Sequence, residues 1–266
     1  MKLSLSTIST VNASFGDDVS AYAAAGFDAI GLWEMKLPDD DAANRVALRA
    51  AGLTVSNCIP TVPSFLQLGI PGLEGPADPE ERIAAICASI RRLAPYEPES
   101  IVVLSGPLGE RGEDEARAIL VDGLQRAAAA AREEGMSLGF EPIHPAQSDS
   151  TAFICSVADA LAVLEDAGLS DVGLTADSYN LAAEGPDAVV AALDRVTALH
   201  LADRPTQDIG PDARVLPGEG RRVAAFRAAG WDGTLDVEIF STPDAFWSLP
   251  ADEAARRAFA AVSRLG

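Results

Sequence analysis

Short, almost continuously apolar runs alternate along the chain with longer segments that have helical spacing. Runs of this kind are typical of strands that are buried on both faces. We predict strands at residues 2–9, 27–34, 53–59, 100–104, 137–140, 172–176, 196–199 and 234–237. We predict helices at residues 17–25, 39–51, 79–94, 113–134, 156–167, 186–194, 220–229 and 251–264.

The junctions between helices and strands support this alternation. Five helices end on a glycine that an apolar residue follows, at Gly26, Gly52, Gly135, Gly168 and Gly230. Glycine readily takes the left-handed conformation that ends a helix. Eight strands alternating with eight helices predict an α/β fold, a single (β/α)8 TIM barrel over residues 1–266 with a parallel eight-stranded sheet. An open, doubly wound sheet is the alternative, but no glycine-rich phosphate turn follows the first strand.

Four of the later strands end in side chains of the types that can bind metals. The fifth to eighth strands lead into Glu141, Asp177, His200 and Glu238, in that order. The carboxyl ends of barrel strands meet at one face, where the reactive groups lie. Taken singly, an acidic strand end is more often a surface charge, and His200 could be a core residue. Together the four suit one divalent ion, for which we expect Mn²⁺ ahead of Mg²⁺, Co²⁺ or Zn²⁺.

Composition and charge narrow the range of partners. The 266 residues include 40 acidic and 20 basic side chains, and the formal net charge of −20 repels nucleic acid. No apolar run is long enough to span a membrane, and the N-terminus lacks the features of a signal peptide. Three scattered cysteines, Cys58, Cys87 and Cys155, indicate unpaired thiols. We therefore expect a cytoplasmic protein with a small-molecule ligand, and a homo-oligomer remains open.

Four motifs carry a resemblance to a known family. They are Phe140–Pro145 (FEPIHP), His200–Arg204 (HLADR), Leu216–Gly220 (LPGEG) and Asp236–Ser241 (DVEIFS). With them the chain resembles the xylose-isomerase-like barrels of the sugar phosphate isomerase/epimerase superfamily, which include inosose isomerases, inosose dehydratases and ketose 3-epimerases. The resemblance implies that the four strand-end residues are the metal ligands and that Arg204 holds substrate oxygens. One position departs from the pattern, because Asn180 stands where many members carry a histidine that touches substrate.

The resemblance and the strand-end carboxylates together suggest a reaction. We expect a metal-dependent isomerase or epimerase of a small sugar or keto-polyol, which abstracts a proton next to a carbonyl through a metal-stabilised enediolate. Glu141 and Glu238 are the predicted catalytic acid and base. A dehydratase of the inosose type and a non-catalytic metal-binding barrel are the alternatives. A phosphodiesterase of the endonuclease IV type is disfavoured, because it needs many histidines and this chain has two.

Further residues are expected to contact the substrate. They are His144, Asn180, Arg204, Trp33 and Glu34. His144 has an alternative role as a loop residue that caps a turn between Pro142 and Pro145. The long segment from Arg204 to Gly220 is rich in proline and glycine, and we expect it to cover the site.

Overall fold

Eight short parallel strands close into a barrel in the computed structural model, which describes residues 1–184, 186–205, 213–220 and 231–265. Each strand pairs with the next one along the chain, and the last pairs with the first. The strands are β1 (Leu3–Ser6), β2 (Ala29–Trp33), β3 (Thr54–Ile59), β4 (Ser100–Val103), β5 (Leu138–Phe140), β6 (Gly173–Asp177), β7 (Val196–Leu201) and β8 (Leu235–Val237). The predicted (β/α)8 barrel is therefore confirmed.

Helices surround the barrel on the outside. Those within the described ranges are α1 (Phe15–Ala25), α2 (Asp41–Ala51), α3 (Pro79–Leu93), α4 (Glu113–Glu133), α5 (Val157–Asp166), α6 (Pro186–Ala191) and α7 (Ala251–Val262). The predicted helix at 220–229 lies, apart from Gly220, outside the described residues. The ring of Phe27, just before β2, packs edge-on against Phe259 of α7 at 5.3 Å, which joins the first and last parts of the chain. None of the described helices combines the length and apolar character needed to cross a bilayer.

Local polar contacts move two of the predicted boundaries. The first strand ends at Ser6 rather than Ser9, because residues 7–10 form a 3-10 turn whose carbonyl groups, on Thr7 and Thr10, accept hydrogen bonds from Lys36 Nζ. Helix α1 begins at Phe15 rather than Asp17. There the side chain of Ser14 accepts from the Asp17 N–H, and the Asp17 carboxylate accepts from the Ser14 N–H.

The glycines predicted to end helices do so where the structure describes them. Gly26, Gly52, Gly135 and Gly168 all have positive φ. At Gly26 the φ is 103°, and its N–H donates to the carbonyls of Tyr22 and Ala23 at the end of α1. Gly230 lies outside the described residues.

A layer of polar side chains crosses the inside of the barrel. Asn57 Nδ2 on β3 donates to Asp236 Oδ2 on β8 at 2.6 Å, and the hydroxyls of Ser4 and Ser56 lie 2.8 Å apart. Gly31 on β2 leaves room for the Asp236 carboxylate, because a Cβ there would lie 2.2 Å from Asp236 Oδ2. Asp236 and His200 are register partners on adjacent strands, so this layer lies close to the strand ends.

Candidate active site

Strand register brings the predicted metal-binding side chains together. Asp177 and His200 are Cα partners across β6 and β7, while Glu141 and Glu238 come directly after β5 and β8. Donor atoms of Glu141, Asp177 and His200 all lie within 4.8 Å of one another, and the three side chains are buried. Glu238 is adjacent, with Oε2 3.4 Å from His200 Nδ1. The four side chains of Glu141, Asp177, His200 and Glu238 therefore form one cluster inside the barrel, at the carboxyl ends of the strands. We call this cluster the acidic floor.

Arg214 supplies a positive charge that the sequence analysis did not assign to the site. Its Nη1 donates to Asp177 Oδ2 at 2.7 Å and to Glu238 Oε2 at 3.1 Å. The guanidinium is buried, and its Cζ lies 5.0 Å from the ring centres of both Tyr179 and Phe240. Its place two residues before the LPGEG motif was the one sequence signal that could have indicated it.

Asn180 links the Glu141 carboxylate to that of Asp177. Its Nδ2 donates to Glu141 Oε1 at 2.9 Å and to Asp177 Oδ2 at 3.2 Å. An amide can make these bonds at any pH near neutrality, since it does not titrate there. The residue that departs from the family pattern therefore contacts the acidic floor directly.

The two glutamates of the floor have opposite pKa shifts. Burial raises the pKa of Glu141 to about 8, and the nearby Asp177 and Glu238 carboxylates add to the effect. Burial also tends to raise the pKa of Glu238, but the charges on His200 and Arg214 outweigh it and hold this pKa below its ordinary value. A hydrogen bond from Trp33 Nε1 to Glu238 Oε1, at 3.2 Å, acts in the same direction. The floor thus pairs one carboxyl that retains a proton with one that readily loses it.

His200 provides a test of whether these residues fit a metal. Its side chain is 1% exposed, and neither ring nitrogen makes a hydrogen bond with the described residues. Burying an imidazole without partners is unfavourable, so such a ring is typical of a metal ligand. Asp236 Oδ2 lies 4.0 Å from Nε2, on the side where a carboxylate orients a ligating histidine in many metal sites. The donor set therefore fits a divalent cation.

A cavity of about 470 Å³ opens above the floor. Glu141, Asn180, Arg214 and Glu238 line its polar end. Most of its remaining wall is apolar and comes from strand ends, from the loop between β3 and α3, and from the aromatic residues Trp33, Phe240 and Trp247. A cavity of this volume is typical of small-molecule sites.

The structure distributes the predicted substrate residues unevenly. Trp33 and Asn180 line the cavity, whereas Glu34, His144 and Arg204 are not among the described residues that line it. His144 Nδ1 accepts from the Ala146 N–H at 3.1 Å, the turn-capping role considered as its alternative. The Arg204 guanidinium lies over the Tyr179 ring at 4.8 Å.

Glu34 is turned towards α3. Its carboxylate accepts from the Ser89 hydroxyl at 2.6 Å and from the Thr61 N–H at 2.8 Å, and it is 3.3 Å from Arg92 Nη1. These contacts tie β2 to α3, and substrate binding by Glu34 stays a prediction.

Fold and site together define a class, the (β/α)8 barrels with a carboxylate- and histidine-based candidate metal site at the carboxyl ends of their strands. Within that class the chain belongs to the family described as xylose isomerase-like TIM barrel, whose model matches residues 19–265. No curated protein has significant sequence similarity to the chain.

Solved structures repeat the fold at low identity. The protein SMc04130 of Sinorhizobium meliloti 1021 superposes with a TM-score of 0.81 at 23% identity, covering 99% of this chain and 98% of its own. The IOLI protein with a binding zinc atom has a TM-score of 0.80 at 19% identity, covering 100% and 98%. D-allulose 3-epimerase from Methylomonas sp. in complex with D-allulose has a TM-score of 0.74 at 17% identity, covering 100% and 97%.

Proposed function

We propose that the protein is a metal-dependent isomerase or epimerase that moves a proton at a carbon next to a carbonyl in a small sugar or keto-polyol. The observation that carries the proposal is a buried cluster of three candidate metal donors, Glu141, Asp177 and His200, two of whose neighbours in the site, Glu238 and Asn180, line the cavity together with Glu141. Membership of the xylose isomerase-like family supports an enzyme of this kind. Zinc in the IOLI structure and D-allulose in the epimerase structure are consistent with a cation and a carbohydrate-like ligand.

Glu141, Asp177, His200 and Glu238 would hold the cation. When bound, a divalent ion supplies Lewis-acid charge beside the carbonyl of the substrate. Carboxylates and one imidazole accept Mn²⁺, Mg²⁺, Co²⁺ or Zn²⁺, and Mn²⁺ remains our expectation among them.

The protein side chains divide the proton transfer between them. Glu238 removes the proton in the proposed reaction, and Glu141 returns one from the other side of the cluster. Arg214 and Asn180 hold the carboxylates in position, because their N–H groups donate to Asp177, Glu238 and Glu141. The apolar wall excludes water from the exchanged proton.

Deuterium exchange tests this proposal. In D₂O, the protein loaded with Mn²⁺ should place deuterium next to the carbonyl of a ketose or inosose, measured by NMR. Glu141→Gln and Glu238→Gln should each lower the rate by roughly 10²–10⁴-fold. The exposed Glu80→Gln serves as the matched control and should keep the rate.

Metal content and product mass separate the alternatives. Loss of one water from the product would identify a dehydratase instead. Bound metal without exchange into any ketose, inosose or simple hydroxy ketone would favour the non-catalytic barrel. Metal analysis of Glu141→Ala and Glu238→Ala completes the test, since full retention in both would contradict the ligand assignment.

A further inference from the structure

Polarity is segregated inside the cavity. The carboxylate, amide and guanidinium groups lie at its floor, on Glu141, Asn180, Arg214 and Glu238. Away from the floor, the polar side chains among the described lining residues are Gln147, Thr151 and Ser241. The Thr151 hydroxyl already lies 3.2 Å from the Ser150 hydroxyl, and the Ser241 hydroxyl accepts from the Phe246 N–H at 3.0 Å.

One wall is aromatic and offers ring surface rather than donors. Phe240 packs between Trp33 and Trp247, with ring centres 5.4 Å and 6.0 Å away. Both indole N–H groups are engaged by the protein, that of Trp33 by Glu238 and that of Trp247 by the Ile239 carbonyl at 3.1 Å. These three residues therefore present an apolar face to any ligand.

Another part of the wall is an apolar cover formed by the loop at residues 60–78. Leu68, Ile70 and Leu73 of this loop line the cavity. Arg82 of α3 is fully buried beneath it and fixes its path. The guanidinium donates to the carbonyls of Ser64, Glu74 and Pro76 at 2.8, 2.6 and 2.7 Å. The apolar cover is thus held in place before any ligand arrives.

This segregation disfavours a chain of hydroxyl groups beyond the floor. Moving a hydroxyl from water into an apolar wall without a hydrogen-bond partner is unfavourable. A free ketose would bring several such hydroxyls against the aromatic wall and the cover. An apolar group in the same place would instead gain from leaving water.

We infer that the keto-polyol or sugar substrate has a short polar end and carries a large apolar group, aromatic or branched alkyl. The inference rests on the proposed function for the polar end, which lies at the acidic floor. The apolar group lies between the aromatic wall and the cover, so the site selects its substrate by that group.

Matched hydroxy ketones test the inference. Hydroxymethyl phenethyl ketone and hydroxyacetone share the same polar end and differ by a benzyl group, and D-fructose represents a free ketose. Calorimetric titration of the Mn²⁺-loaded protein should give a dissociation constant for the phenethyl compound that is at least about tenfold lower than that for either of the others. Equal or tighter binding of D-fructose, or no binding of the phenethyl compound, would overturn the inference.

Variants of the cover locate the binding. Leu73→Gln and Ile70→Gln change partly buried lining residues. Each should lower the affinity for the phenethyl compound several-fold and leave the affinity for hydroxyacetone unchanged. Val46→Gln, at an exposed position on α2, is the matched control and should alter neither. Unchanged affinity for the phenethyl compound in both cover variants would also overturn the inference.

The same samples distinguish this inference from the proposed reaction. Deuterium can be followed at the hydroxymethyl carbon of each compound in D₂O. Tight, Leu73-dependent binding of the phenethyl compound without any exchange would retain the inference and contradict the reaction. Faster exchange into D-fructose, with equal or tighter binding of that sugar, would retain the reaction and contradict the inference.

Discussion

Replacing Arg214 by methionine removes the one described guanidinium that bridges two carboxylates of the floor. In the native protein its Nη1 contacts Asp177 and Glu238 at 2.7 and 3.1 Å, and all three side chains are buried. Methionine retains much of the aliphatic packing against Tyr179 and Phe240 but none of the charge. The variant therefore isolates the effect of the positive charge.

The expected loss of stability is large because the variant leaves two buried carboxylates without the guanidinium that contacts both of them. Removing one partner of a buried ion pair typically lowers the free energy of unfolding by about 3–5 kcal/mol. The surface pair of Arg126 with Glu80 has a similar distance, 2.8 Å, yet both side chains are largely exposed. Arg126→Met should therefore change stability by less than about 1 kcal/mol.

Urea unfolding in EDTA measures the loss of stability in Arg214→Met. Repeating the measurement with saturating Mn²⁺ tests whether the loss comes from the missing positive charge. A cation that contacts the same carboxylates should stabilise Arg214→Met more than it stabilises the native protein, because the competing guanidinium is gone. We expect the gain to be larger by at least about 1 kcal/mol. If Arg214→Met is as stable as Arg126→Met in EDTA, or gains no more from Mn²⁺ than the native chain does, the proposed role of Arg214 is wrong.

Two further predictions concern the framework around the site. Burial raises the pKa of Asp18 to about 6 despite its contact with Lys36, so folding favours its protonated form. As pH rises from the pKa of Asp18 in the unfolded chain to 6, the free energy of unfolding of the native protein should therefore fall by up to about 3 kcal/mol relative to that of Asp18→Asn. Urea unfolding in EDTA measures this difference. A constant difference between the two chains would refute this. Gly106 and Gly109 both have positive φ, but only at Gly106 would a Cβ meet backbone, 2.2 Å from the Leu66 carbonyl oxygen. Gly106→Ala should lower the free energy of unfolding by at least about 1 kcal/mol more than Gly109→Ala does. It should also weaken the binding of hydroxymethyl phenethyl ketone, because the added Cβ displaces the apolar cover. Equal losses of stability would show that the loop does not depend on this contact.

The acidic floor could be predicted because its signals are local. A short apolar run ending in a carboxylate or imidazole marks a strand end in the sequence itself, and parallel strands bring their ends to one face. Asp177 and His200 need only adjacent strands in register to become neighbours. Neither position depends on how a loop folds.

The choice of arginine depended on such a loop. The family resemblance favoured Arg204, which ends the HLADR motif just after β7. In the structure the chain turns back, since Asp203 and Val215 exchange two backbone hydrogen bonds in an antiparallel bridge. The Arg214 N–H then donates to the Phe240 carbonyl, which places its side chain over the floor. Of the segment expected to cover the site, residues 206–212 lie outside the described residues.

The apolar cover escaped prediction for a related reason. Its loop is recognisable from its prolines, but its path is set by Arg82, which donates to three backbone carbonyls while fully buried. Sequence reasoning assigns an arginine in an amphipathic helix to the solvent face, because arginines are rarely buried without partners. The partners here are backbone carbonyl groups of a loop, and no pattern in the sequence predicts these hydrogen bonds. Under the two proposals, the reaction chemistry lies at strand ends, where the fold fixes it, whereas selection of the substrate depends on a loop held by one helix residue. Relatives that share the floor can therefore differ in substrate without any change in the barrel.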